Sequence, residues 1–306
     1  MSDATHNPIQ TMVLNVLAKR GDFVPSSPEL ATEVEEHLCD ALSPIAEHYS
    51  SSNPLWVTKH ALSTVHGCEA HHVASRDAFS WTIASVRGTV VHKAIEILIN
   101  SRTSRSPGEY VDDALDRIVE SERGTASDFI ASLSPGEQAD LRSQVVDLVT
   151  KYEDSFPKLE MRWRPVVESN AKVELFGGTV VMSTRADLVI GAPGSKVIID
   201  IKSSRIMASH REDLRFYSLV ETLRSRQSPR LTATFSLETQ RIDAEDVSLS
   251  TLSVAVHRLV QGAQLLHELD QEKRAPTRRS GSTCYWCPLA ANCSEGQEFL
   301  TGDRDA

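Results

Sequence analysis

An aspartate and a lysine two residues apart, Asp200 and Lys202, interrupt the otherwise apolar run KVIIDIKSS. In a strand alternate side chains share a face, so the carboxylate and the ammonium project together, with Cα atoms about 7 Å apart. Val197, Ile199 and Ile201 then point the other way, into a core. Thirteen residues upstream, Asp187 lies in TRADLVIG, which reads as the neighbouring strand of a pair turned by APGS. Two carboxylates on adjacent strands repel each other unless a cation bridges them. Carboxylate oxygens and a backbone carbonyl suit Mg²⁺ or Mn²⁺. An ion there would hold water against a phosphodiester and stabilise charge on the phosphate, with Lys202 as base or charge stabiliser. A plain salt bridge on a sheet face is the more ordinary account of an isolated Asp-x-Lys, so the neighbouring residues must decide.

A second constellation is built from sulfur. Cys284-x2-Cys287-x5-Cys293 occupies STCYWCPLAANC, and Cys68 lies far upstream in STVHGCEAHHVA. Three close thiolates and one remote thiolate are enough ligands for tetrahedral zinc or a cubane iron–sulfur cluster, and spacing alone does not separate the two. His71 and His72, just after Cys68, are alternative zinc ligands. Cys39 has no partner in this scheme and reads as a helix core residue.

The elements that must position these groups follow from apolar spacing. Ser27 and Pro28 open a helix carrying Leu30, Val34, Leu38, Leu42 and Ile45. GTVVHKAIEILIN places Val91, Ile95 and Leu98 on one helical stripe. SPGE at Ser134 to Glu137 is a capping box for a helix with Leu141, Val145, Leu148 and Tyr152 inward. After Pro165 the pattern changes. AKVELFGGTVVMS predicts a hairpin turned at Gly177-Gly178. A strand, a turn and the Asp200 strand come next, then a helix over Asp213 to Arg224. LTATFSLE predicts a half-buried strand through Leu231, Ala233, Phe235 and Leu237. Leu249 to Leu269 reads as helix, and the polar residues after Cys293 as a frayed tail. The fold expected is α/β: a small mixed sheet flanked by helices. Three regions are expected, namely a helical region at 1–60, a catalytic domain at 61–293 and a polar tail at 294–306.

These motifs together resemble the PD-(D/E)XK nuclease superfamily, in the RecB-like branch that includes CRISPR-adaptation exonucleases and AddB-type nucleases. The resemblance spans roughly Cys68 to Cys293. It rests on RGTVVHKAIE, TRADLVIG, VIIDIKS and DLRFYSLV. It implies a restriction-endonuclease-like sheet in which His92, Asp187, Asp200 and the main-chain carbonyl of Ile201 bind Mg²⁺ or Mn²⁺. Lys202 completes the catalytic set. It also implies a DNA contact from Tyr217, in the position of the tyrosine in a Gln-x-x-x-Tyr motif. Asp213 stands where that motif has glutamine; an ionised carboxylate only accepts hydrogen bonds and repels phosphate, so no role is carried over to it. Glu168 falls where related enzymes carry a supporting glutamate. For the sulfurs the resemblance favours a 4Fe–4S cluster on Cys68, Cys284, Cys287 and Cys293, tying the C-terminal segment to the N-terminal region, with zinc as the lesser alternative. The expected activity is exonucleolytic hydrolysis of single-stranded or free-ended DNA, alongside helicase, repair or CRISPR-integration proteins. A non-catalytic DNA-binding or adaptor protein of the same fold is the alternative.

The bulk properties agree with an enzyme rather than a nucleic-acid coat. The 306 residues are 40% hydrophobic and 24% charged, with a formal net charge of −10. Non-specific coating of DNA needs clustered cations. One basic stretch, Lys273 to Arg279, abuts the cysteines, where Trp286 could stack on a base or pack on a cluster. The five cysteines do not suggest a disulfide framework. No apolar run approaches the ~18 residues of a membrane span. The N-terminus lacks a secretory pattern, so the expected location is the cytoplasm. No GxxxxGK[S/T] phosphate loop occurs, so no helicase motor is expected within the chain.

Overall fold

The structure is a computed structural model and describes residues 6–19, 21–76, 80–120 and 125–302. The chain enters through helices α1 (Pro8–Leu17) and α2 (Pro28–Ala46), a short strand β1 (Leu55–Thr58), and helices α3 (Lys59–Gly67) and α4 (Glu69–Ser75). A helical block follows: α5 (Ile83–Asn100), α6 (Pro107–Glu120), α7 (Thr125–Ser132) and α8 (Pro135–Ser155). Strands β2 (Val166–Leu175), β3 (Val180–Ile190) and β4 (Val197–Lys202) come next. Helix α9 (Ala208–Ser225), β5 (Leu231–Ser236), β6 (Arg241–Asp246) and α10 (Leu249–Asp270) complete the sheet region, and α11 (Ser294–Gly302) follows the last cysteine.

The local signals act as physical chemistry requires. Ser134 and Glu137 exchange side-chain and backbone hydrogen bonds at the start of α8, and Thr82 with Ser85 does the same for α5. The β2–β3 turn places Gly177 at φ 65° and Gly178 at φ 92°, a left-handed backbone that a side chain disfavours. Cys39 is half-buried and packs against the core, as a helix residue should.

The six strands form one mixed sheet. Helices α2, α3, α9 and α10 cover one face through Leu38, Leu42, Leu62, Leu219 and Leu259. Helices α5, α6 and α8 cover the other through Val90, Val111, Val145 and Tyr152, packed on Ile199, Ile201 and Phe235. Strand β5 corrects the half-buried expectation. All six of its residues are buried because it lies between β4 and β6 with helices on both faces. Its hydroxyl-bearing residues Thr232, Thr234 and Ser236 read as solvent-facing in the sequence, yet they are buried too. Ser236 Oγ donates to the Ser204 carbonyl at 2.8 Å, satisfying the buried hydroxyl. Strands β1 and β6 escape the sequence pattern, being a four-residue element and a charged edge. Residues 294–302 of the expected frayed tail instead form α11, whose Gly296 lies against Cys293 and Cys284, and 303–306 lie outside the described residues. No helix among the described residues is long and apolar enough to cross a membrane.

One topological feature positions the site. Strand β2 runs along one edge of β3, while two strands share the other edge. There β1 pairs with Val180 to Ser183 and β4 pairs with Leu188 to Ile190. Residues 184–187 of β3 face the gap between them, so the sheet forks.

Candidate metal and nuclease site

The β3–β4 ladder runs through Ile190↔Val197, Val189↔Ile198 and Leu188↔Ile199 and then stops. The next rung would join Asp187 to Asp200. Instead the Asp187 carboxylate reaches across the fork, and the Ile201 N–H donates to Asp187 Oδ2 at 2.7 Å. A side chain thus takes the place of the missing ladder bond.

The side-chain alternation also slips at this point. Val180, Met182 and Ala186 face the α9–α10 layer, whereas Leu188 and Ile190 face the α5–α8 layer. On β2 the same change falls between Ala171 and Val167. Glu168 lies opposite Asp187 in that register, adopts φ 52° and drops out of the ladder. Left-handed backbone at a residue with a side chain costs of order 1–3 kcal/mol and persists where the surroundings enforce it. The slip lets Asp187 meet a helix from the α5 side.

That helix is α5. Ser85, Thr89, His92 and Glu96 share one of its faces and line a cleft with Glu168, Arg185 and Asp187. His92 Nδ1 is 3.4 Å from Asp187 Oδ1. Ligand atoms of His92, Glu168 and Asp187 all lie within 4.8 Å of one another, the one such group of three among the described residues. Glu168 also pairs with Arg185.

Asp200 and Lys202 stand beside this group, with Lys202 Nζ donating to Asp200 Oδ1 at 2.8 Å. The other oxygen, Asp200 Oδ2, is buried without a partner. A buried carboxylate oxygen left unpaired is costly, and a cation relieves it. Burial likewise pushes the Asp187 carboxyl upward in pKa, with His92 opposing and the Asp200 charge reinforcing. Asp187, whose charged form burial disfavours, Asp200 with its unpartnered oxygen, a nearby imidazole and a third carboxylate make a donor set suited to a divalent ion.

Tyr217 lies beneath the fork. Its hydroxyl donates to the Arg185 carbonyl at 3.0 Å, on the stretch of β3 that is paired with β2 but has no strand on its other edge. Asp213, one turn earlier on α9, is 4.0 Å from Lys59 Nζ. Burial pushes the Asp213 carboxyl up to about 6, against the pull of Lys59 and Lys202 and with the push of Asp200. Lys59, Arg185 and His210 border the site and were not anticipated. Lys59 arrives on the unrecognised β1–α3 junction, and His210 accepts from the Met207 N–H at the start of α9. Only an expectation of β1 could have signalled Lys59.

Cys68, Cys284, Cys287 and Cys293 line a single small cavity, with His71 beside them. The sulfurs are not drawn tightly together: among the described residues no three of them lie within 4.8 Å of one another. Four thiolates on one zinc would sit about 3.8 Å apart. Burial, reinforced by the other three sulfurs, pushes the Cys287 thiol up. The Arg279 N–H donates to Cys68 Sγ at 3.5 Å. His72 does not face this group; its Nδ1 is 2.8 Å from Thr64 Oγ1. In the basic stretch Lys273 meets His267, Arg274 meets Glu69 and Glu268, Arg278 stands 3.9 Å from Glu295, and Arg279 meets the His66 carbonyl. Trp286 is exposed.

The sequence profile of the PD-(D/E)XK nuclease superfamily matches residues 57–294. The chain belongs to the PD-(D/E)XK nuclease superfamily. The match takes in the forked sheet, α5, α9 and the cysteine segment. No curated protein matches the chain. Among solved structures it is similar to a provisionally assigned exonuclease from Eubacterium rectale, at 13% identity, TM-score 0.49, over 80% of this chain and 91% of that one. It is also similar to a protein designated SSO0001, at 15% identity, TM-score 0.31, over 67% of this chain and 94% of that one. The mixed sheet between two helical layers accords with this superfamily.

Proposed function

We propose that this superfamily member is a divalent-metal-dependent deoxyribonuclease that hydrolyses phosphodiester bonds of single-stranded or free-ended DNA. The observation that carries the reading is the convergence at the fork. His92, Glu168 and Asp187 come within 4.8 Å, beside an Asp200 oxygen with no partner. His92, Asp187, Asp200 and the Ile201 carbonyl would hold Mg²⁺ or Mn²⁺, with Glu168 as a further carboxylate. When bound, the ion supplies a polarised water and positive charge against the scissile phosphate. Lys202, held by Asp200, would act either as the base that takes a proton from the attacking water or as the positive charge that stabilises the phosphate oxygens. Arg185 restrains Glu168, and Tyr217 braces the strand that carries Asp187. Burial of the acids keeps bulk water from screening these charges.

The cysteine cavity is read as the seat of a 4Fe–4S cluster held by Cys68, Cys284, Cys287 and Cys293. The four cysteines line one cavity and an N–H points at Cys68 Sγ, an arrangement compatible with a shared centre, although no three of these sulfurs lie within 4.8 Å of one another. Each thiolate of a cubane binds a different iron, so its sulfurs stand farther apart. Its role would be structural, joining segments more than 200 residues apart in sequence.

The test is anaerobic purification followed by Mn²⁺-dependent digestion of DNA strands labelled at either end. A brown protein that degrades DNA from its ends, with activity lost in both Asp200→Ala and Lys202→Ala, is the expected result. Folded variants that retain full activity would remove the catalytic reading, and a colourless protein carrying zinc would remove the cluster.

A further inference from the structure

The α5–α8 layer covers only part of the sheet. Its apolar contacts on β2 and β3 reach Val167 and Leu188; beyond them the same face of β1, β2 and β3 presents exposed Trp56, Asn170, Lys172, Glu174 and Arg185 around a buried Val181. Leu55 and Val57 turn toward the opposite layer, which leaves Trp56 and Thr58 on the open side. Trp56 is 48% exposed, unusual for so large an aromatic in a strand. Thr58, Ser183 and Lys172 follow it in register, then Asn170 and Arg185.

Three cations border this groove. Lys172 Nζ lies 5.5 Å from the Trp56 ring centre, and Lys59 Nζ lies 5.8 Å from that of Tyr217. Arg185 lines both this groove and the cleft of His92, Glu168 and Asp187. The cations have carboxylate partners in Glu174, Asp213 and Glu168. The Lys172–Glu174 pair is exposed on both sides and therefore weak, Lys59 stands 4.0 Å from Asp213, and the Arg185 side chain is 64% exposed, so a phosphate can reach each cation.

We infer that this open face is the binding track for one unpaired DNA strand, with Trp56 stacking on a base and Lys172, Lys59 and Arg185 following the backbone into the catalytic cleft. The inference rests on the nuclease reading and names the form of substrate that the site takes. Three features favour a strand over a duplex. The platform is a single flat indole at a sheet edge, the cations lie along a narrow path, and that path ends at the fork. Aromatic stacking with a cationic track is the usual means of holding single strands, because every base offers a π-face while a duplex hides its own.

Binding is measured in EDTA by fluorescence anisotropy, with labelled oligothymidylate and a blunt duplex of the same length. Trp56→Ala weakens oligothymidylate binding about fivefold or more, within the range of base stacking. It leaves duplex binding unchanged, and Trp56→Phe restores most of the loss. Lys172→Gln lowers the salt dependence of strand binding by roughly 0.7 in the log–log slope, the effect of one phosphate contact. Melting curves confirm that each variant is folded. Unchanged strand affinity in Trp56→Ala, an equal loss on duplex, or no strand binding by the wild type would overturn the inference. The two readings fail separately. A wild type that binds strands through Trp56 but never cleaves them with Mn²⁺ defeats the nuclease alone. One that cleaves normally after Trp56→Ala defeats the track alone.

Discussion

At the scale of single residues, the charge balance around Asp213 gives a pH signature. Its carboxyl is raised to about 6 by burial, from an ordinary value of 3.8. The folded state therefore holds this proton more tightly than the unfolded chain. Between those two values the unfolded chain loses the proton first, so this group's contribution to stability falls as pH rises through the window. Metal-free wild type should lose on the order of 2 kcal/mol relative to Asp213→Asn between about pH 4 and pH 6, and the gap should hold steady above that. Melting temperatures of both proteins across pH 4 to 7.5 in EDTA decide it; parallel profiles would refute the assignment. Asp187 is shifted in the same direction by burial and by Asp200, and a bound cation reverses its penalty. The Asp213 carboxylate, which only accepts hydrogen bonds, is balanced by the Lys59 ammonium 4.0 Å away.

At the scale of elements, the fork is the structure that matters. Strand β3 has partners on both edges except over residues 184–187, where β1 has ended and β4 has not begun. The Asp187 side chain and the Tyr217 hydroxyl take up backbone groups that a strand would otherwise satisfy. Tyr217→Phe keeps the ring in the core and removes only the bond to the Arg185 carbonyl. The expected cost is about 1 kcal/mol in urea unfolding, with an unchanged denaturant slope. A variant as stable as the wild type would show that the Arg185 carbonyl is satisfied without Tyr217. Much of this layer was legible in sequence. The hairpin glycines, the Ser134 cap and the apolar β4 each carry a local signal. The short β1 did not, and its absence from the reading hid Lys59 and Trp56 as well.

At the scale of the whole molecule, the chain is closed by contacts between α4 and the segment before the cysteines. Arg274 donates to Glu69 at 2.6 and 2.8 Å, the Thr277 N–H donates to Glu69 at 2.8 Å, and the Ala70 N–H donates to the Thr277 carbonyl. The Arg274 guanidinium, with the Thr277 N–H, holds the Glu69 carboxyl down at about 2. A depressed carboxylate stabilises the fold above its unfolded value of 4.5, and that stability drains away as pH falls toward 2. Glu69→Gln should cost on the order of 1–3 kcal/mol at neutral pH. Limited proteolysis should then cut first within residues 271–281, the irregular stretch after α10. Equal cutting rates in variant and wild type would show that the segment is anchored elsewhere. The net charge of −10 repels DNA at long range, so strand capture depends on local cations and should weaken steeply with salt.

The sequence alone determined the chemistry available and the local frame: which residues can bind metal or sulfur, where the main helices begin, and that Asp200 and Lys202 share a face. Those properties depend on residues a few positions apart, through dihedral preference, alternation and capping. Only the tertiary structure decided that β3 forks, that the alternation slips at Asp187 and Glu168, and that in the basic stretch Arg274 is held by Glu69 and Glu268 and Lys273 by His267. It likewise decided that a bare sheet face leads from Trp56 to the acids. Each of these depends on pairing between segments tens to hundreds of residues apart, and no local periodicity encodes which edge a strand will leave unpaired.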